Sequence, residues 1–318
     1  MFGIKELKEK IEITKTTVEC PAKDCNVKVE RQRRVFVKED RFKCPKHKIF
    51  ISPSTFEYPN ELDNLLWKEK SDIELFEKIK RRKRESRMAR DNSEDAVSWN
   101  VFRFLDRNNL ISGFLNSIAG LHLKSSEVIY WSYSQKEDKV LSELNKARRE
   151  FGEIIKRGSE PDIIVRTDKA LFFIEAKLTA GNETIPSNKN SSKKYKSGGD
   201  NWFSRVFKSD YNTVAIIGKK YELLRFWLLG TWMANQQGLN FYLINLVLSE
   251  REKDIENIFK GHIRETEGRE FLRITWEDIY SYISNINFSR DKDIILNYFR
   301  NKTIGYNREG KLQKAFSI

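Results

Sequence analysis

Residues 160–177, EPDIIVRTDKALFFIEAK, constrain the fold of this chain more than any other stretch. β-Branched and aromatic residues predominate in DIIVR and in ALFFIEAK, on either side of the polar turn TDK, which predicts two strands joined by a tight turn. In the second strand Leu171, Phe173, Glu175 and Lys177 share one face and Phe172, Ile174 and Ala176 the other. Large apolar groups on both faces predict a central strand of a covered sheet. Asp162, Glu175 and Lys177 are then unusual occupants of a partly buried place, because buried charge must be paired or must hold a cation.

A shared divalent cation reconciles these groups. Bringing Asp162 across from the first strand sets its carboxylate beside that of Glu175, and two hard oxygen ligands suit Mg²⁺, whose other positions can be water and substrate phosphate. The cation cancels a like-charge repulsion that would otherwise raise one carboxylate pKa. Lys177 can orient or help deprotonate the attacking water and balance charge developing on phosphorus. Upstream, Asn92 or Ser93 can cap a helix with Val97, Val101, Phe104 and Leu105 as its apolar stripe, and Glu94 lies on that stripe in the first turn. A surface carboxylate favoured by the helix start is the ordinary alternative for Glu94.

With Pro161 and Asp162 as "PD", and Glu175, Ala176 and Lys177 as "ExK", the chain resembles the PD-(D/E)xK nuclease superfamily, the restriction-endonuclease-like fold. The resemblance covers roughly residues 90 to 250. It implies a mixed β-sheet flanked by helices and phosphodiester hydrolysis requiring Mg²⁺ or Mn²⁺. It also implies Asp162 and Glu175 as metal ligands, Lys177 near the nucleophilic water, and Glu94 as the additional acid of the preceding helix. The competing reading of the same residues is a surface hairpin with a few salt bridges.

The three cysteines, Cys20, Cys25 and Cys44, lie in the first 44 residues, and His47 is one of only three histidines. They form a C-x4-C pair and a C-x2-H pair, and the run between them can supply two short strands. Thiolates and one imidazole suit zinc, and four protein ligands make the ion structural. The arrangement resembles a zinc ribbon, with a first gap wider than the usual two residues; buried free cysteines beside a surface histidine are the alternative. Lys28, Arg31, Arg33, Arg34, Lys38, Arg41, Lys43, Lys46 and Lys48 surround the module as a nucleic-acid contact face or a solvated one.

The formal net charge is +13, which favours a polyanionic partner and permits an anionic membrane surface. Residues 78–90 hold eight basic residues and one acid, among them Arg81, Arg82, Lys83, Arg84 and Arg87. They read as the basic end of one or two connecting helices that can lie along a phosphate backbone. After the hairpin, a small and polar run predicts a mobile loop up to Trp202. There Lys189, Lys193, Lys194, Lys196, Arg205 and Lys208 could close over phosphates, with Tyr195 or Trp202 stacking on a base. NTVAIIGKK predicts a buried strand, YELLRFWLLGTWMANQQG an apolar core helix and LNFYLINLV a strand. No signal peptide, membrane span or nucleotide-binding glycine loop is evident, so the reading is a cytoplasmic protein that uses no ATP.

These observations predict an α/β protein with a ribbon module over residues 1–58, a basic helical connection over 59–92, a nuclease core over 93–250 and an α/β extension over 251–318 for core support or dimerisation. The expected activity is a divalent-metal-dependent endonuclease on double-stranded DNA, in restriction or mobile-element defence, where a homodimer would cut opposite strands. A repair or recombination nuclease acting on branches or ends, and a catalytically inactive zinc-ribbon DNA-binding protein, are the alternatives. RNA and single-strand nicking also stay open.

Overall fold

The computed structural model describes residues 4, 6–32, 36–83, 87–187, 191–287 and 290–318. The chain divides into two compact units: Met1–Lys80, Arg84–Phe104 and Ile279–Ile318 form the first, Arg81–Lys83 and Leu105–Asp278 the second. Among the described residues no helix is long and apolar enough to cross a membrane.

The first unit begins with two antiparallel pairs, β1 (Thr17–Glu19) with β2 (Lys28–Glu30), and β3 (Phe50–Ile51) with β4 (Phe56–Glu57). Val18 and Val29 face each other in the first pair and bury with Ile51 and Phe56 around the three cysteines. Of the two strands expected between the ligand pairs, β2 forms; the chain then turns through a short 3-10 segment, Asp40–Phe42. α1 (Lys70–Lys80) buries Leu75, Phe76 and Ile79, and the Phe76 ring meets Trp99 edge-on at 5.6 Å. α2 (Glu94–Arg107) starts where Ser93 Oγ accepts the Ala96 N–H at 3.1 Å, a cap worth about 1 kcal/mol. Its stripe of Val97, Val101, Phe104 and Leu105 is fully buried, as its spacing predicts.

The second unit is built on a seven-stranded mixed sheet. α3 (Ile111–Ala119) leads to β5 (Ser126–Tyr130), β6 (Tyr133–Ser134) and β7 (Lys139–Val140), then α4 (Ser142–Glu150) leads to the hairpin β8 (Ile163–Thr167) and β9 (Ala170–Ala176). After α5 (Ser191–Val206) come α6 (Tyr221–Gln237), β10 (Asn240–Val247), α7 (Ile255–Lys260) and β11 (Arg269–Thr275). The strand order is β11-β10-β9-β8-β5-β6-β7, parallel across β11, β10 and β9 and antiparallel elsewhere. All seven residues of β9 are buried, as two-sided apolarity requires of a central strand. Leu171, Phe173, Phe241 and Leu243 pack on one face under Leu223, Trp227 and Leu228 of α6. The helix comes so close that a Cβ on Gly230 would lie 2.1 Å from the Phe241 ring.

Two expectations need correction here. Ser191–Val206 is a helix, interrupted at Gly198–Asn201, not an open loop, because Tyr195, Trp202, Phe203 and Val206 bury into the core. At Gly199, with φ +59°, a Cβ would lie 2.7 Å from Phe151 and 2.9 Å from Trp232, so the break depends on glycine. The apolar run Thr213–Ile217 is a π-helical turn rather than a strand. Asp210 winds it, accepting the N–H groups of Asn212 and Thr213 and the Thr213 hydroxyl, and Gly218 N–H closes on Thr213 O at 2.9 Å.

The carboxy-terminal extension is divided. β11 completes the sheet, pairing with all but the first residue of β10, so the second unit runs past residue 250. α8 (Trp276–Asn285) leads to α9 (Lys292–Asn301), and β12 (Thr303–Tyr306) pairs with β13 (Leu312–Lys314) within the first unit. There Tyr306 N–H donates to Ser54 O at 2.8 Å and its hydroxyl to Lys8 O at 2.9 Å. Lys302, fully buried, donates to the Asp91 carbonyl, with Asn64 Oδ1 at 3.4 Å, and Thr303 Oγ1 donates to Asp91 Oδ2 at 2.7 Å. The last strands therefore belong with the first ones.

Candidate functional site

The hairpin register sets the site. Ile163 pairs with Ile174, so one step further Asp162 stands opposite Glu175, and in β10 the partner of Glu175 is Asn245. Partners in register share a face, so Asp162, Glu175 and Asn245 make a polar row across three strands. Asp162 Oδ2 accepts the Ala176 N–H at 2.9 Å, and its carbonyl accepts the Trp131 N–H at 2.9 Å. Lys177 donates its N–H to Leu246 O at 2.8 Å, and its carbonyl accepts the Trp276 indole N–H at 3.1 Å. With both backbone groups held, its ammonium pairs with Glu175 Oε1 and lies 3.3 Å from Glu222 Oε2.

Burial pushes the Glu175 carboxyl well above its ordinary range, and the Asp162 charge adds to the rise against the opposing pull of Lys177. For Lys177 burial opposes the charged form, but the carboxylates of Glu175, Glu222 and Asp162 outweigh it and hold the group as an ammonium. Glu175 Oε2 is buried without a hydrogen-bond partner among the described residues. A buried carboxylate oxygen that lacks a donor is suited to meet a cation.

Two buried networks brace this row. Glu153 accepts the Ser159 N–H and hydroxyl at 2.6 Å each and the Tyr195 hydroxyl at 2.8 Å, with Arg225 Nε at 3.3 Å. Arg148 Nε takes the Ser159 carbonyl at 2.9 Å, so Ser159 is gripped at both peptide groups three residues before Asp162. On the other side, Asn182 Nδ2 donates to Asn245 Oδ1 at 2.7 Å and to Glu252 Oε2 at 2.5 Å, which ties the segment after Lys177 to β10. Sequence reasoning missed Glu153, Glu222, Arg225, Asn182, Asn245 and Glu252. The one signal for them was a charged or amide side chain within an otherwise apolar element, as at Arg225 and Asn245.

In the first unit, Cys20, Cys25, Cys44 and His47 converge, with all ligand atoms within 4.8 Å of one another. Cys25 Sγ and Cys44 Sγ are 3.7 Å apart, and His47 Nδ1 is 3.7 Å from both Cys20 Sγ and Cys44 Sγ. A tetrahedral zinc with bonds of about 2.3 Å to sulfur has sulfur–sulfur edges of about 3.8 Å, so these spacings fit. Burial raises the Cys20 thiol, with the neighbouring Cys44 sulfur adding to it. Burial also opposes ionisation at Cys25, but the Val27 N–H and the adjoining cysteines lower it overall. The four residues can hold a structural zinc ion. Among the described residues they are the only group of three or more such ligands within reach of one metal.

No known protein family, curated protein or solved structure matches this chain. Its fold is α/β with a mixed sheet flanked by helices, and its three cysteines and one histidine form a cluster consistent with a metal-binding module.

The remaining expected site residues lie on other elements. Glu94 opens α2 in the first unit, whereas Asp162, Glu175 and Lys177 belong to the second. Arg84, like Arg33, Arg34 and Lys189, lies outside the described residues. Arg81, Arg82 and Arg87 are exposed, and the Lys83 ammonium sits 4.1 Å above the Trp131 ring. Lys193, Lys196 and Arg205 are exposed on α5, and Lys194 lies over the Tyr195 ring at 4.8 Å. Trp202 is a correction: it is 7% exposed and its indole N–H donates to Thr231 Oγ1 at 2.9 Å, so it packs in the core and presents no face for stacking. Tyr195, buried on Glu153, is corrected in the same way.

Proposed function

We propose that the protein is a divalent-metal-dependent nuclease that hydrolyses DNA phosphodiester bonds at the Asp162, Glu175 and Lys177 row. The observation that carries this reading is the buried Glu175 Oε2, without a hydrogen-bond partner among the described residues, beside a second carboxylate and a paired ammonium. Asp162 and Glu175 would hold Mg²⁺ or Mn²⁺, which accept one or two carboxylates together with water and phosphate oxygens. Bound there, the ion would supply Lewis acidity to a phosphate oxygen and a lowered pKa to a water. Lys177, kept charged by its three carboxylate neighbours, supplies positive charge to oxygens on the phosphorus rather than taking a proton from water. Glu222 orients the ammonium from the first turn of α6. The Ser159 latch keeps Asp162 at its place opposite Glu175.

The Cys20, Cys25, Cys44 and His47 centre is read as structural zinc, since four protein ligands leave no open position. Duplex DNA is the proposed substrate, with Arg81, Arg82, Arg87, Lys193, Lys196 and Arg205 as exposed cations for its backbone. Defence against foreign DNA is the occupation implied by the resemblance, and a cytoplasmic homodimer whose two sites cut opposite strands is the form proposed with it. The test is a panel of duplex, single-stranded and branched DNA and of RNA, incubated with Mg²⁺ or Mn²⁺. Cutting by the native chain and none by Asp162→Ala supports the reading. Folded, metal-supplied protein that cuts nothing on the panel overturns it.

A further inference from the structure

The first unit carries a cavity of about 730 Å³ that none of the chemistry above uses. Lys15, Arg31, Gln32, Phe36, Arg90 and Asn92 contribute to its walls. A second cavity of about 540 Å³ shares Lys15, Arg31 and Gln32 with it, so the two meet at these three residues. Gln32 is rigid: its Nε2 donates to Ile51 O at 3.0 Å and its Oε1 accepts the Val37 N–H at 2.7 Å. Among the described residues the other cations lining the two cavities, Arg90 and Arg41, are already committed. Arg90 lies 3.5 Å from Glu57 and 4.8 Å over the Phe36 ring, and Arg41 is bound to Glu39 at 2.7 Å.

Lys15 and Arg31 differ. Neither has a carboxylate partner among the described residues, and Arg31 is fixed by Nη1 donating to Thr14 O at 2.9 Å and by its N–H to Thr16 O at 2.8 Å. Glu30, which also lines the second cavity, lies 3.5 Å from Arg41, so Lys15 and Arg31 at the junction of the two hollows make a place for an anion. Beside them, the Arg90 guanidinium and the Phe36 ring under it are the kinds of planar group on which an unpaired base rests. The volume falls in the range of small-molecule pockets, which suits a single nucleotide and excludes a duplex from entering.

We propose that this cavity binds an unpaired nucleotide of a nucleic-acid strand, its phosphate at Lys15 and Arg31 and its base toward Phe36 and Arg90. The inference deepens the nuclease reading and rests on it for the identity of the polyanion. It would give the protein a grip on a single-stranded end or gap, separate from the row that cuts.

The test is fluorescence anisotropy of the full chain with a fluorescein-labelled oligothymidine and with a duplex of equal length, across a salt series without divalent cations. The Lys15→Ala/Arg31→Ala protein should bind the single strand at least about tenfold more weakly, and its slope of log affinity against log salt should be shallower by about 1.4. The duplex should lose less, and bound zinc should equal that of the native chain. Unchanged single-strand affinity and slope, or equal loss on the duplex, overturns the proposal. If the double variant loses zinc, Lys15→Ala alone gives the reading: a slope change of about 0.7 supports the proposal and none overturns it. The absence of divalent cations separates the outcomes, because binding can respond even if no substrate is ever cut.

Discussion

Asp162 Oδ2 accepts the N–H of Ala176, the residue between Glu175 and Lys177, at 2.9 Å. One hydrogen bond thus holds the acid just before β8 against the two charged residues around the end of β9. An asparagine at 162 can still accept that N–H but supplies no charge. Asp162→Asn should therefore melt within a few degrees of the native protein while metal-dependent cleavage falls by about 10³ or more. Thermal unfolding and a single-turnover cleavage assay check the two halves.

The Glu153 latch predicts how acid acts on the fold. Burial works against its charge, but Arg225, the two Ser159 donors and Tyr195 together lower its pKa below the ordinary carboxylate value. A carboxyl with a depressed folded pKa contributes stability that is present above its unfolded pKa, about 4.3, and lost as pH falls through the folded value. Glu153→Gln should be less stable at pH 7, by roughly 3 kcal/mol, and the difference should shrink below about pH 4. Urea denaturation at pH 7 and at pH 3.5 measures both, and a difference that did not change with pH would contradict the assignment.

The pKa of Glu175 makes an opposite prediction for cation binding. Its carboxyl is held up by burial and by Asp162, so under the proposed function a divalent cation bound there would have to displace a proton. Apparent Mg²⁺ or Mn²⁺ affinity should rise with pH above the ordinary carboxylate range, by up to about tenfold per unit while Glu175 remains protonated. Isothermal titration with Mn²⁺ in buffers of different ionisation enthalpy counts the protons released. The Glu175→Gln protein should release none.

Removing one zinc ligand should cost more than a core substitution. Purified native protein should contain one zinc per chain, and Cys44→Ser should lose it along with several kcal/mol of the stability tied to metal binding. Elemental analysis reads the first outcome, and melting with and without chelator reads the second.

The hairpin and the Cys/His cluster were legible because each announces itself locally. A strand with large apolar groups on both faces has to be central, and β9 is buried along its whole length. Four metal-type ligands at two turns have little else to do, and they converge. What was not legible depended on contacts distant in sequence. Tyr195 and Trp202 sit in a polar run that reads as loop, but Glu153 and Thr231 supply the buried partners that draw them inward. Thr213–Ile217 has strand composition, yet Asp210 closes a turn over it that no period-two pattern reveals. The placement of β12 and β13 beside the amino-terminal strands rests on Tyr306 reaching Ser54 and Lys8, which no local propensity encodes.

Under the proposed function, Lys177 and its carboxylates cut phosphodiester bonds. Single-turnover cleavage of a labelled duplex by native protein and by Lys177→Ala, each titrated with Mn²⁺, tests it most directly. Metal-dependent cleavage by the native chain and a rate about 10² to 10⁴ lower for the variant is the predicted result. Equal rates for the two folded proteins would contradict the account.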